Sequence, residues 1–240
     1  MVQGNSQAAA SARPANLSGV FPPALVCLRV VTEQQPPDHW YLVRFTKTGA
    51  ARFLSQHDVR RAWERVTRRA GLPLAYSRGF SPKPRLSFGP PLPVGAEGRR
   101  EYVTMGLRAA LDAVDVEKRL AAAAIPGMAV VEVAKASGRR VRTFWATYEL
   151  TVDPAPADLD ARVQRLLAQA KVEIERVRDP EGVRRDIRPG IGALTSENGT
   201  LLARLRIAQD EIVTSRDLAL ALRVEATMTT RTDIELEAVG

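Results

Sequence analysis

Alternation of apolar and polar positions marks the first organised stretch of the chain. Tyr41, Val43 and Phe45 fall on one side and Leu42 on the other, which predicts a strand over residues 41–46. The period then lengthens. Val59, Ala62, Trp63, Val66 and Ala70 recur at spacings of three and four, the stripe of an amphipathic helix. Ser55 stands at the N-cap position with Asp58 three residues on, and Gly71 and Pro73 close the far end. Apolar runs at 72–77, 85–88 and 101–107 read as strands or extended chain, 115–124 as a helix ended by Pro126-Gly127, and 128–133 as a strand. The order is β-α-β-β-α-β.

After a polar stretch at 137–143 the pattern repeats. A strand is predicted over 144–152, with Trp145, Thr147, Glu149 and Thr151 alternating against Ala146, Tyr148, Leu150 and Val152. A helix follows over 158–170, then strands at 172–177 and 183–188 around the turn at 179–182. Strands at 191–195 and 201–207 flank Ser196-Glu197-Asn198-Gly199, a hairpin signal. Thr214 caps a helix running to Leu222, and 227–236 alternates as a last strand. The expected fold is α+β: two tandem ferredoxin-like (βαββαβ) units with antiparallel sheets and helices on one face. They would occupy 39–136 and 144–240, joined by a linker at 137–143 and preceded by a disordered tail at 1–38, or by an over-long start. The repetition is of topology, since the two halves share no residue-level repeat.

Composition adds a partner class. The 240 residues are 45% hydrophobic and 26% charged, ordinary for a globular protein. A net charge of +8 and a pI near 10.2 point to an anionic partner, nucleic acid first and then a membrane surface or an acidic protein. The charge is not spread evenly. Residues 44–100 carry thirteen Lys and Arg against three Asp and Glu, a net +10 that exceeds the charge of the whole chain. The single cysteine, Cys27, excludes an intrachain disulfide and a cysteine-held iron–sulfur cluster or Cys-rich zinc site built by this chain, and it fits a reducing compartment. No run of about 18 apolar residues occurs, so no membrane-spanning helix is expected. Met1 to Asn16 lacks the basic start of a signal peptide. A cytoplasmic protein without cofactor or metal is the expectation.

At about 100° per residue, Arg61, Arg65 and Arg68 share the helix face opposite the apolar stripe, with Arg60 and Arg69 flanking and Glu64 diluting it. The loop Arg78-Gly79-Phe80-Ser81-Pro82-Lys83-Pro84 and the following Arg85 add three cations. Guanidinium groups bind phosphate bidentately, and the aromatics Tyr76, Phe80 and Phe88 offer stacking surface beside them. That combination serves single-stranded RNA. The plain alternative is a solvated arginine face in an arginine-rich chain, with Tyr76 and Phe88 in the core. Phe80, between Gly79 and Ser81, is the better candidate for exposure. Walker, GxGxxG, HExxH and CxxC motifs are absent. His57, in the first helical turn, is the one candidate for acid–base work, with Lys47 or Tyr76 as helpers. The plainer reading makes it an exposed first-turn residue.

The run ARFLSQHDVRRAWERVTRRAGLPLAYSRGFSPKPRLSFGPPLPVG, residues 51–95, resembles the signature of the radical-SAM-linked proteins, a bacterial family long described only as a domain of unknown function. Asp186-Ile187-Arg188-Pro189 and Arg231-Thr232 resemble further landmarks of that family. Two positions depart from its pattern: Gln56 stands where the family usually has histidine, with His57 one place later, and Lys83 stands where it often has histidine. The resemblance implies a protein fused to, or encoded beside, a radical SAM protein of the cobalamin-binding type. The missing histidines move weight from an enzyme toward a binding module. The functional expectation is therefore an RNA-binding accessory protein of a radical SAM enzyme, acting on ribosomal or transfer RNA. Arg61, Arg65, Arg68, Arg78, Lys83 and Arg85 would neutralise phosphate, and Phe80 would stack. The alternatives are a metal-free endoribonuclease using His57 and a protein–protein adaptor without nucleic acid.

Overall fold

A computed structural model of the chain describes residues 39–176, 179–180, 182–208 and 211–238; the expected tail at 1–38 and Cys27 lie outside the described residues. In chain order the elements are β1 (His39–Lys47), α1 (Gln56–Arg69), β2 (Leu86–Phe88), β3 (Glu97–Leu107), α2 (Ala113–Ala123), β4 (Val130–Ala136), β5 (Val141–Val152), α3 (Leu159–Leu167), β6 (Glu173–Glu175), β7 (Arg184–Asp186), β8 (Ile191–Glu197), β9 (Thr200–Ala208), β10 (Glu211–Ile212), α4 (Ser215–Leu222) and β11 (Ala226–Ala238). Short 3₁₀ turns precede α1 at Gly49–Phe53 and β8 at Arg188–Gly190.

Three of the four described helices, α1, α2 and α4, begin where a side chain supplies a missing acceptor. Ser55 Oγ accepts the Asp58 N–H and fixes the start of α1. Asp112 caps α2 through Val114 N–H, so the helix begins at Ala113, two residues earlier than expected. At α4, Thr214 and Asp217 form a reciprocal capping box. Asp217 is buried and also grips Arg176 with both oxygens, at 2.9 and 2.6 Å. One carboxylate thus starts the helix and ties it to the chain beyond β6.

The strands form one nine-stranded sheet in the order β10-β9-β5-β11-β3-β1-β4, with β2 also on β3 and β8 also on β9. This corrects the expectation of a separate sheet for each half. In the first half the order is β4-β1-β3-β2 and in the second β11-β5-β9-β8, with every neighbouring pair antiparallel. The halves meet where β11 runs parallel to β3 over only two residue pairs, Thr230 with Glu97 and Arg231 with Gly98. The sheet is therefore mixed, where wholly antiparallel pairing was expected.

Two segments expected as sheet strands behave otherwise. Residues 72–77 make only isolated bridges, Leu74 to Leu107 and Tyr76 to Pro84, because Pro73 has no N–H to give and the chain turns off the end of β3. Residues 172–177 and 183–188 supply β6 and β7, a two-stranded ribbon outside the main sheet. Asp186 holds the end of the ribbon by accepting the N–H groups of Val172 and Arg188, at 2.9 and 3.0 Å, and these bonds draw its carboxyl below the usual range. The Arg188 guanidinium does not pair with it, donating instead to the carbonyls of Leu167 and Ile191. The expected linker is shorter than drawn, since β5 begins at Val141.

Each half buries its own apolar cluster. Tyr41, Val43 and Phe45 of β1 and Val103, Met105 and Leu107 of β3 pack under α1 and α2, with Trp63 edge-on to Phe45 at 4.9 Å. Ala146, Tyr148, Leu150, Leu201 and Leu205 pack against α3 and α4. Tyr102, which alternation puts on the other side of β3, belongs to the second cluster, and Leu42 of β1 packs against it. The second core thus reaches across the back of the first half, and the described residues all fall in one compact unit.

A buried ion pair holds the seam. Arg231, 1% exposed, donates from Nε and Nη2 to the two oxygens of Glu101, at 2.8 and 2.5 Å, and from Nη2 to Pro90 O at 2.8 Å. Arg44 reaches from β1 to Ile234 O at 2.9 Å and lies 3.6 Å from Asp233. Glu101→Leu will leave Arg231 and Lys47 buried without their shared anion and will cost about 3–5 kcal/mol in urea unfolding. Arg231→Met will cost less, because Lys47 acts on the same carboxylate and stays to compensate it. The double change will be milder than Glu101→Leu alone, and an additive loss would show that the pair is not coupled.

Candidate nucleic-acid interface

The surface begins with α1. Its apolar stripe, Val59, Ala62, Trp63 and Val66, is buried, so the opposite face must look outward. Arg61, Arg65 and Arg68 are all exposed on it. The second part is a tight hairpin. Ser77 N–H donates to Lys83 O at 2.8 Å, Lys83 N–H returns to Ser77 Oγ at 3.0 Å, and Arg85 N–H donates to Ala75 O at 2.8 Å. At its tip Gly79 takes φ +116°, a conformation that side chains disfavour, and Phe80 projects wholly into solvent at 109% relative exposure. Arg78 and Lys83 are exposed beside it. Arg85 is half-buried and donates to Tyr76 O at 3.4 Å, so it is the one loop cation partly used by the fold.

The other cations of the basic stretch are consumed internally. Arg99 pairs with Glu149 at 2.9 Å, Arg100 with Glu132 at 2.9 Å, Arg52 with Glu97 at 3.8 Å, and Arg69 donates to the Ala123 carbonyl at the end of α2. Arg60 lies 5.0 Å over the Phe88 ring, and Lys47 is buried. Among the described residues, no hydrogen bond or ion pair engages the side chains of Arg61, Arg65, Arg68, Arg78 or Lys83. Arg61 acts only at a distance on Asp58, whose carboxyl is drawn down chiefly by its hydrogen bond from Ser55. No ring contact or ion pair joins the helix group to the hairpin group among the described residues.

His57 is exposed next to Asp58. It is Gln56, one place earlier, that shares a small cavity with Lys47: its walls are Phe45, Lys47, Gln56, Val59, Phe88, Gly89, Pro90, Leu92, Glu101 and Tyr102. His57 is not among the lining residues. Phe88 is half-buried at this cavity and Tyr76 half-buried beside the hairpin, as the core alternative expected.

The charged group behind the cavity was missed in the sequence. Lys47 extends the inward stripe Tyr41, Val43, Phe45, and Glu101 extends Val103, Met105, Leu107. A charge at the end of a core stripe was the available signal. Glu101 lies so close under β3 that a Cβ on Gly98 would stand 2.6 Å from it. Burial lowers the Lys47 pKa and Arg231 adds to this, against the opposing pull of Glu101. For Arg231 burial acts downward too, but Glu101 and Tyr148 together outweigh it and hold the guanidinium charged.

Comparison with known proteins places the chain. Residues 40–221 match a family described as an uncharacterized protein conserved in bacteria, DUF2344, and the chain belongs to that family. No curated protein matches. Among solved structures, a chain of a Cbf5–Nop10–Gar1 complex is similar at 15% identity with a TM-score of 0.38; the match covers 81% of this chain and 48% of that one. The chain thus spans about half the length of that relative, and a likeness at this score carries no functional reading. No described helix is long and apolar enough to cross a membrane, and no cluster of three metal-ligating side chains occurs among the described residues.

The pH dependence of stability follows from Lys47. Folded, it holds its proton less tightly than its ordinary value of 10.5, so the unfolded chain binds more protons below that value. Stability contributed at this site therefore rises with pH in that window. Urea titrations of the wild type and Lys47→Met at neutral pH and at about pH 10 will show the wild type gaining on the variant at the higher pH. A constant gap would mean that Lys47 titrates as it does in water.

Proposed function

We propose that the chain is an RNA-binding accessory module that takes single-stranded RNA on the outer face of α1 and on the 77–84 hairpin. One observation carries the reading. The fold engages most cations of the basic stretch in ion pairs, caps and ring contacts and leaves Arg61, Arg65 and Arg68 exposed on α1, and Arg78 and Lys83 exposed in the hairpin that carries a fully exposed Phe80. Free guanidinium groups neutralise a phosphate backbone, and a rigidly presented ring stacks on a base. Arg85 supports the hairpin from inside and contributes charge at its base. The strand orders β4-β1-β3-β2 and β11-β5-β9-β8 support reading the halves as two ferredoxin-like units fused through one seam. The resemblance of residues 51–95 to radical-SAM-linked proteins supports a radical SAM enzyme as the protein partner, with this chain presenting ribosomal or transfer RNA to it in the cytoplasm.

The test is binding of labelled single-stranded RNA to the full chain as salt is varied. Affinity will fall steeply with salt, and Arg61→Glu, Arg65→Glu and Arg68→Glu together will flatten the log–log slope by about 2, since each contact on a single strand contributes about 0.7. Phe80→Ala will cost about 1–3 kcal/mol with the slope unchanged. Absence of binding at about 50 mM salt overturns the reading. Cleavage of the RNA that disappears in His57→Ala would replace it with a nuclease.

A further inference from the structure

The group behind the seam carries an unbalanced charge. It holds two cations, Lys47 and Arg231, and one carboxylate, Glu101. Both oxygens of that carboxylate are taken by Arg231. Lys47 is left over. It is 3% exposed, and among the described residues its ammonium makes no hydrogen bond or close ion pair; Glu101 acts on it only through the charge it already gives to Arg231. Two cations set against one carboxylate leave this buried group with a net positive charge, which is disfavoured away from bulk water.

Lys47 lines a cavity of about 10 Å³, room for one oxygen atom. The first turn of α1, a 14-residue helix, supplies Gln56 and Val59 to the wall. Ser55 occupies the N–H groups of Asp58 and Val59, while those of Gln56 and His57 have no acceptor among the described residues. A helix start with free N–H groups favours negative charge. The rim is formed by Gln56, Phe88, Gly89 and Pro90, all half-exposed, and the Arg60 guanidinium lies over Phe88 at 5.0 Å. The loop over the cavity is held close: a Cβ on Gly89 would meet the Tyr102 ring at 2.6 Å.

We infer that this cavity is an anion site that takes one oxygen of a phosphate group against the Lys47 ammonium, the rest of the group resting at the rim against the first turn of α1 and Arg60. The ligand supplies the missing negative charge. Glu101 does not repel it, because Arg231 already neutralises that carboxylate. The site is independent of the RNA reading. Its phosphate can be a free ion or the terminal phosphate of a nucleic-acid strand.

Inorganic phosphate titrated into the full chain in phosphate-free buffer, followed by thermal melting and calorimetry, tests the site. Phosphate will raise the melting temperature of the wild type. Gln56→Glu, at a half-exposed rim position, will raise it without phosphate and abolish the response, because its own carboxylate supplies the counter-charge. Lys47→Met will abolish the response as well. The Arg61→Glu, Arg65→Glu, Arg68→Glu chain will respond to phosphate as the wild type does, even where its RNA binding is lost. A Gln56→Glu chain that still responds like the wild type overturns the proposal, as does a wild type that does not respond at about 10 mM phosphate, well above a millimolar dissociation constant. A 5′-phosphorylated oligonucleotide preferred about tenfold over its unphosphorylated twin, a preference lost in Gln56→Glu, assigns the phosphate to a strand end. Equal binding of the two, with the response to inorganic phosphate kept, assigns it to the free ion.

Discussion

The Arg231–Glu101 pair is the contact on which the joining of the halves depends. Its partners are 130 residues apart, one on the last strand and one on the third. The backbone contributes little at this point, since the parallel register between β11 and β3 covers two residue pairs. Parallel pairing over so short a length has few hydrogen bonds to set its alignment. A buried guanidinium does, because moving β11 by one residue would put Arg231 on the other face and leave Glu101 in the core without its cation. Pro90 O and the Tyr148 hydroxyl, 3.4 Å from Nη1, accept further N–H groups of the same side chain. Arg44 and Tyr102 reinforce the seam from the first half.

That arrangement changes what the basic stretch means. A net +10 over residues 44–100 reads as one large binding patch. Folded, the stretch divides by depth. Arg44, Lys47, Arg99 and Arg100 sit at or near the seam, mostly paired with carboxylates of the second half and of β4. The outer face of α1 and the hairpin keep the remainder free. Internal pairing removes charge from the surface without removing it from the composition, so the exposed basic surface is smaller and better bounded than the count implies.

Much of this was legible along the chain. The stripes at 41–45 and at 59–70 placed β1 and α1, Ser55 placed the start of the helix, and the Gly79-Phe80 tip placed an exposed ring. These are local features, set by period, capping and backbone freedom within a few residues. The segment at 72–77 carried strand-forming residues but found only isolated bridges, because sheet pairing depends on a neighbour that propensity does not describe. The ribbon β6–β7 was read as part of the sheet for the same reason: two short strands look alike whether they extend a sheet or pair only with each other.

Lys47 and Glu101 show where reading along the chain stops. Each continues an apolar stripe, which foretells that it points inward. Neither stripe contains the guanidinium that Glu101 meets, nor shows that this guanidinium takes both oxygens of the carboxylate Lys47 also faces. Elements, caps and the outward faces of helices follow from neighbours in sequence. The single sheet, the seam and the buried surplus charge arise from contacts between strands more than a hundred residues apart, and electrostatic balance in a core is a property of which groups end up together.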